Sequence, residues 1–261
     1  MVLNTQKIAL GSRLRACRNI LTLGVRTNLS DYEDWQLELI RHAEVIYYPT
    51  AFYADLFDTI GRRVFPNYHT YKYTQDKIKQ TALFNLLEIP HPRTRVFYGN
   101  LQKSKILNHF QFPFVAKIAR GSALGRGIYL IQNKEDLAQY TALKGPAYVQ
   151  EFLEFDRDLR VVLIGGKAVH AYWRVAEPGE FRTNLAQGAT IRLDNIPQDG
   201  VAFAVNVARL CRFDDVGLDI CYSQGKYWVL EANMKYGRQG FREAGINYNK
   251  LMDKMIENGE I

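Results

Sequence analysis

Cysteine is scarce in this chain, and long apolar runs are missing. Cys17, Cys211 and Cys221 are three in number and widely spaced, which suggests neither a disulfide framework nor a metal-ligand cluster. No segment is apolar for long enough to span a bilayer. The N-terminal stretch "MVLNTQKIALGSRLRACRNILTLG" interleaves Lys7, Arg13, Arg15 and Arg18 with its apolar residues and lacks the continuous core of a secretion signal. Low-complexity tracts and internal repeats are missing too. These absences point to a soluble protein of a reducing compartment, expected in the cytoplasm and away from membranes.

Also missing is any long basic run, although the 261 residues carry a formal net charge of +7. The basic residues are scattered, with short pairs such as "GRR" at Gly61–Arg63. A diffuse excess of this kind suits a solvated surface or an anionic-substrate pocket better than a duplex-binding face, so a nucleic-acid partner is not expected.

What is present is a succession of short elements. The stretch "SDYEDWQLELIRHA" predicts a helix capped by Ser30 or Asp31, with Trp35, Leu39, Ile40 and Ala43 at helical spacing. "AEVIYYPT" reads as a buried strand, "AFYADLFDTIG" as a helix stopped by Gly61, "RRVFPN" as a short strand and "NYHTYKYT" as a linker. "TQDKIKQTALFNLLEIP" is a capped amphipathic helix ended by Pro90 and Pro92. From Phe112 strands dominate. "FPFVAKIA" and "IYLIQ" flank the glycine-bearing loop "RGSALGRG", which predicts a hairpin; a helix capped by Asn133 follows. Three strands, "AYVQEFLE", "DLRVVLIGG" and "KAVHAYWRV", precede the helix "QDGVAFAVNVARLCRF". Two more strands and a last helix from about Asn247 close the chain. Strand-rich blocks broken by single helices predict an α+β class rather than a doubly wound sheet.

The final strand pair holds a chemical anomaly. "VGLDICYSQG" and "KYWVLEAN" are apolar strands, yet the second contains Glu231 and Asn233. Side chains two apart share a face, so Val229, Glu231 and Asn233 are expected on one side and Trp228, Leu230 and Ala232 on the other. If "SQGK" makes a three-residue turn with Ser223 opposite Tyr227, Asp219 falls opposite Glu231; a slip of one residue moves it to the wrong face. Two carboxylates and an amide make a hard-oxygen site suited to magnesium. The bland alternative, a solvent-facing sheet, predicts Lys, Thr or Ser at neighbouring positions, where Val229 and Cys221 stand.

Three further features carry charge or glycine. Lys117 follows three apolar residues in "FPFVAK", where a charge needs a partner. The loop "GSALGRG" can bring backbone amides close to a polyphosphate, although it is neither a P-loop nor a dinucleotide fingerprint. The segments "VQEFLEFDRDLRVV" and "YWRVAEPGEFRTNLAQGA" hold Asp158 with Arg160, and Arg174 with Arg182 and Asn184; arginine suits planar anions and charge that builds in a transition state. Taken singly, each is an ordinary surface residue or local ion pair.

In this order the motifs resemble the ATP-grasp superfamily, and most closely its RimK-like carboxylate–amine ligases, over roughly residues 74 to 247. The resemblance implies an ATP-grasp fold of two α+β subdomains, residues 74–147 with a phosphate flap and 148–261 with a hinge and metal site. A small α/β domain, residues 1–73, precedes them. It implies that Lys77 and Lys117 hold nucleotide phosphates and that Ser122, Gly125 and Gly127 belong to the flap. Gln150, Glu151, Phe152 and Leu153 match the adenine hinge, and Asp158 the ribose-binding acid. Arg160, Arg174 and Arg182 are the candidate catalytic cations, with Thr183 and Asn184 beside the phosphates. Asp219, Glu231 and Asn233 match the ligands of two magnesium or manganese ions. The implied reaction is ADP-forming amide synthesis: ATP phosphorylates a carboxylate, an amine attacks the acyl phosphate, and phosphate leaves. No Ser-His-Asp set or reactive thiol is needed, so Cys221 reads as a buried thiol and His170 as a sheet histidine. The expected partners are a small-molecule or peptide carboxylate and an amine, and the sequence is compatible with a homo-oligomer. A nucleotide-binding regulatory module without turnover, or a phosphotransferase of the same fold, are the alternatives. The segment "MKYGRQGFREAG" departs from the family pattern with Tyr236 and Gln239 where the acceptor site is bordered, so the substrate need not be the family's usual glutamate.

Overall fold

The computed structural model describes residues 7–74, 76–119, 127–177 and 188–261. Three sheets follow one another along the chain. The first is parallel, in the order β2-β1-β3-β4, from β1 (Ile8–Ala9), β2 (Leu21–Thr22), β3 (Val45–Tyr47) and β4 (Arg63–Phe65). Helices α1 (Asp34–His42) and α2 (Thr50–Thr59) make its crossovers. The cap of α1 differs from expectation. Ser30 and Asp31 belong to a preceding 3-10 turn, and the helix opens after Glu33, whose N–H donates to the Gln36 side chain at 3.1 Å. The expected linker is helical: α3 (Tyr68–Tyr73) starts at Asn67, whose side-chain oxygen accepts from the Thr70 N–H. An N-cap of this kind outweighs the weak helix propensity of a Tyr- and Thr-rich stretch.

Helix α4 (Lys77–Leu86) is capped by Asp76, whose carboxylate accepts from the N–H groups of Ile78 and Lys79. The second sheet is antiparallel, ordered β5-β8-β6-β7, from β5 (Thr94–Phe97), β6 (Phe114–Ile118), β7 (Ile128–Ile131) and β8 (Ala147–Glu151). Helix α6 (Lys134–Thr141) packs Tyr140 and Leu137 into its core, and the short helix α5 (Gly99–Lys103) follows β5. The pairing of β6 with β7 is the expected hairpin, and the Asn133 side chain caps α6 as expected. The third sheet, β11-β10-β9-β12-β13, is antiparallel as well. It consists of β9 (Arg157–Ile164), β10 (Lys167–Val175), β11 (Thr190–Arg192), β12 (Asp215–Ser223) and β13 (Lys226–Asn233). Helix α7 (Gln198–Cys211) packs on one face, and α8 (Gln239–Glu243) and α9 (Tyr248–Glu257) follow.

Three packing choices were invisible to hydrophobic periodicity. Phe84 of α4 is buried with Val229, Ala232 and the α7 residues Ala204 and Val207, so α4 rests on the third sheet although β5 enters the second. Strand β8, which straddles residue 147, belongs to the second sheet. The first sheet also shares a core with the chain's end, where Ala9, Val45, Tyr47 and Phe65 pack with Val162, Ile164, Met252 and Ile256. Among the described residues no helix is long and apolar enough to cross a membrane.

Candidate functional site

The β12–β13 hairpin builds the acidic centre by a route other than the expected one. Its turn has two residues, Gln224 (φ 53°) and Gly225 (φ 79°), and Ser223 faces Lys226. Positive φ at both central positions is the turn type that matches strand twist. A regular ladder continued from this turn sets Asp219 opposite Leu230. Instead β13 holds one extra residue: Ile220 faces Val229, and the next pair is Asp219 with Glu231. The bulge at Leu230 restores the parity that the shorter turn removed. Asp219 and Glu231 therefore face each other as expected, while the turn and the residue faces differ. Val229 is buried with Ala232, Leu218 and Ile220 under α7, not beside Glu231. Leu230 lines the same cavity as Glu231.

Around this pair the charges interlock. Arg160 on β9 lies across from Asp219 and binds it through two N–H groups, Nη2 to Oδ2 at 2.9 Å and Nε to Oδ1. Arg174 on β10 faces Asp158 and donates to both of its oxygens, at 2.7 and 2.6 Å, with Nη2 also 2.9 Å from Asp219. Lys77 on α4 meets Glu231 at 2.8 Å, and the Asn233 amide donates to Asp219 at 3.4 Å. Burial alone pushes the Asp219 carboxyl upward; Arg160 and Arg174 together outweigh that and hold it below the ordinary carboxylate range. Burial opposes the charge on Arg174, and Asp158 and Asp219 more than compensate, keeping its pKa above the usual value.

Three carboxylates (Asp158, Asp219 and Glu231) thus stand among four cations, of which Lys117 is the unmatched one among the described residues. Lys117 is 8% exposed and lines the cavity. Desolvation lowers its pKa to about 8, against the pull of Glu231, and nearby Lys77 adds to the lowering. A buried cation without a counter-ion, facing an open space, suits a polyanionic ligand. That space has a volume of about 650 Å³ and lies between the second and third sheets. Lys117, Gln150 and Glu151 line it from the second, and Asp158, Arg174, Asp219 and Glu231 from the third. Phe152 and Leu153, on the segment that joins the two sheets, complete the wall. Gln150 is held by its Nε2, which donates to the Thr94 hydroxyl at 2.9 Å; the Arg93 N–H donates to the Glu151 carboxylate at 2.5 Å.

The donor chemistry fits a hard cation: two carboxylates on directly paired residues, an amide beside them, and an anion-seeking cavity adjoining. Lys77, Arg160 and Arg174 neutralise these donors in the structure, as buried carboxylates require. Among the described residues no group of three or more His, Cys, Asp or Glu forms a metal cluster, so the set is two acids and an amide.

Of the residues expected from sequence, Lys77, Lys117, Gln150, Glu151, Phe152, Leu153, Asp158, Arg160, Arg174, Asp219, Glu231 and Asn233 converge on this cavity and its charge network. Gly127 stands outside the wall, at the foot of β7, where φ is +78° and its carbonyl accepts from the Ile118 N–H at 2.7 Å. Ser122, Gly125, Arg182, Thr183 and Asn184 lie outside the described residues. Cys221 is fully buried with its thiol pushed up to about 12 by desolvation, and His170 on β10 donates from Nε2 to the Gly240 carbonyl at 3.0 Å, its ring tilted against Phe241. Sequence reasoning missed the apolar walls Val115, Ile128 and Phe155. Nothing in the sequence around these apolar residues distinguishes a cavity wall from a core position.

Residues 74–257 match the model of the RimK-like ATP-grasp domain, which is most of the chain. The chain belongs to that family. Over 192 residues it is 30% identical to a coenzyme gamma-F420-2:alpha-L-glutamate ligase of Methanocaldococcus jannaschii, covering 70% of this chain and 66% of that protein, just under two thirds. A probable alpha-L-glutamate ligase of Vibrio vulnificus is 30% identical over 210 residues, 77% of this chain and 69% of the relative. A RimK domain ATP-grasp protein of Sphaerobacter thermophilus superposes with a TM-score of 0.68 across 95% of this chain and 98% of that one. At 14% identity it speaks for the fold alone. The ATP-grasp fold expected from sequence is borne out at the level of the family.

Proposed function

We propose that this protein is an ADP-forming ligase that joins a carboxylate to an amine, with ATP and magnesium held between the second and third sheets. The observation that carries this reading is the facing pair Asp219 and Glu231 beside Lys117, a buried cation without an ion pair among the described residues, in a cavity of about 650 Å³. Asp219, Glu231 and Asn233 would hold the metal, whether one ion or two, and the metal supplies charge neutralisation along the phosphates.

The chain's own residues supply position and charge. Lys77 and Lys117 hold phosphate oxygens, and Gln150 to Leu153 receive the base. Asp158 keeps Arg174 fixed, and Arg174 with Arg160 presents positive charge where the phosphoryl group is transferred. The substrate carboxylate accepts the γ-phosphoryl group as ADP separates. The amine then attacks the acyl carbon, a proton leaves the nitrogen, and inorganic phosphate departs. Arg182, Thr183 and Asn184 belong to this reading through their match to the family's motif. The names of the relatives favour an amino acid as the amine; Tyr236, expected at the acceptor border, is instead buried in the core shared by the first sheet and the chain's end, where its hydroxyl donates to Asp215.

The test is release of ADP and phosphate from Mg-ATP against a panel of amino acids and small peptides, with products weighed by mass spectrometry. A product lighter than its two reactants by one water is expected, and Glu231→Ala should abolish turnover. A stable phosphorylated product, or turnover unchanged in Glu231→Ala, overturns the ligase or the metal assignment respectively.

A further inference from the structure

Strand β13 is an edge of its sheet, so the backbone groups on its outer side lack a neighbouring strand. The bulge at Leu230 removes part of the inner ladder as well, next to Glu231. Two groups stand in for the missing strand here: the Pro90 carbonyl, which accepts from the Val229 N–H at 2.9 Å before the bulge, and a side chain of α4 after it. Gln80 of α4, 3% exposed, accepts from the Ala232 N–H through Oε1 at 3.0 Å and donates to the Ala232 carbonyl through Nε2 at 2.8 Å. Its Nε2 also donates to the Tyr73 carbonyl at 3.0 Å. A side-chain amide carries the donor and acceptor of a peptide unit, and among side chains only Gln and Asn do so. Ala232 is the residue between Glu231 and Asn233. Lys77, one helical turn before Gln80, holds the Glu231 carboxylate, so one turn of α4 grips both the side chain of residue 231 and the backbone of residue 232.

We propose that Gln80 is a positioning residue that fixes the backbone of β13 between the bulge and Asn233, and thereby sets the spacing of the two metal donors on that strand. This rests on the reading of Glu231 and Asn233 as metal donors. A carboxylate at position 80 keeps the acceptor for the Ala232 N–H but turns charge toward two carbonyls. An apolar side chain of equal length loses every bond. In either case the donors of β13 sample more than one geometry, and the metal site weakens while the phosphate lysines stay in place.

The experiment compares wild type, Gln80→Met, Gln80→Glu and Glu231→Gln by three readouts. Amide hydrogen exchange at Ala232 is followed in the metal-free protein. Manganese affinity is measured by electron paramagnetic resonance with a non-hydrolysable ATP analogue bound, and affinity for that analogue is measured in EDTA. Gln80→Met should accelerate exchange at Ala232 and weaken manganese binding, each by about tenfold for the loss of the two neutral hydrogen bonds to Ala232. Analogue affinity in EDTA should not change. Gln80→Glu should weaken manganese binding too, and it decides the matter if Gln80→Met fails to fold. Wild-type manganese affinity in the folded Gln80 variants overturns the proposal. So does an equal loss of analogue affinity in EDTA, which marks a merely structural role. If Glu231→Gln itself binds manganese like wild type, the metal reading fails instead.

Discussion

Lys117 sits on a strand between apolar neighbours, and its charge is costly there until an anion arrives. The free side chain has a pKa of 10.5 and the buried one about 8, so between these values the unfolded chain holds a proton that the folded one has released. The cost to stability is therefore full below about pH 8 and is relieved as the pH rises toward 10.5. Nucleotide affinity should run the other way. It should be greatest below about pH 8 and fall as Lys117 discharges, a trend measurable by calorimetry and flattened in Lys117→Met. At pH 7 the same substitution should weaken ATP binding by roughly tenfold to a hundredfold, the scale of a lost charge-assisted hydrogen bond. At this scale much was legible, because a lysine or glutamate inside an apolar strand stands out against its surroundings. The pairings were not legible. Asp158 and Arg160 are neighbours in sequence, yet each binds a cation or anion on another strand, Asp158 to Arg174 and Arg160 to Asp219.

Helix α4 shows how one element can serve two roles, as a roof over the third sheet and as the support of Lys77 and Gln80. Its N-terminus depends on Asp76, which accepts from two N–H groups of the first turn. Asp76→Ala should cost about 1 kcal/mol and lower the melting temperature by about 2–4 °C in thermal denaturation, with a larger proportional loss of turnover because Lys77 is the first residue of the helix. The pattern of polar and apolar residues revealed this helix and its cap. The β12–β13 hairpin was less transparent. The "QG" turn was recognised but its length was not, and a bulge has no sequence signature in a strand where both Val229 and Leu230 are apolar. The two departures cancel in their effect on Asp219 and Glu231, since one shifts the ladder by a residue and the other shifts it back.

At the scale of the molecule, the first sheet and the C-terminal helix form a single core. Val162, Ile164, Tyr236, Phe241, Met252 and Ile256 are buried there against Ala9, Val45, Tyr47 and Phe65. Exposing a buried side chain of this size costs roughly 1.5–3 kcal/mol, and several together exceed the net stability of about 5–15 kcal/mol typical of a domain. A fragment of residues 74–261 should therefore aggregate or stay partly unfolded, although it contains the whole family match. Circular dichroism and gel filtration of the fragment check this, and a monomeric, cooperatively melting species overturns it.

Local chemistry was enough to mark the strands, the caps of α4 and α6, the misplaced carboxylates and the buried lysine, since each depends on neighbours within a few residues. The ion-pair network, the bulge, the support of α4 under β13 and the joint core of the chain's two ends were settled only by tertiary packing. Apart from the bulge, which lies within one hairpin, each joins residues far apart in the chain, and their energies come from burial and pairing that no local pattern encodes.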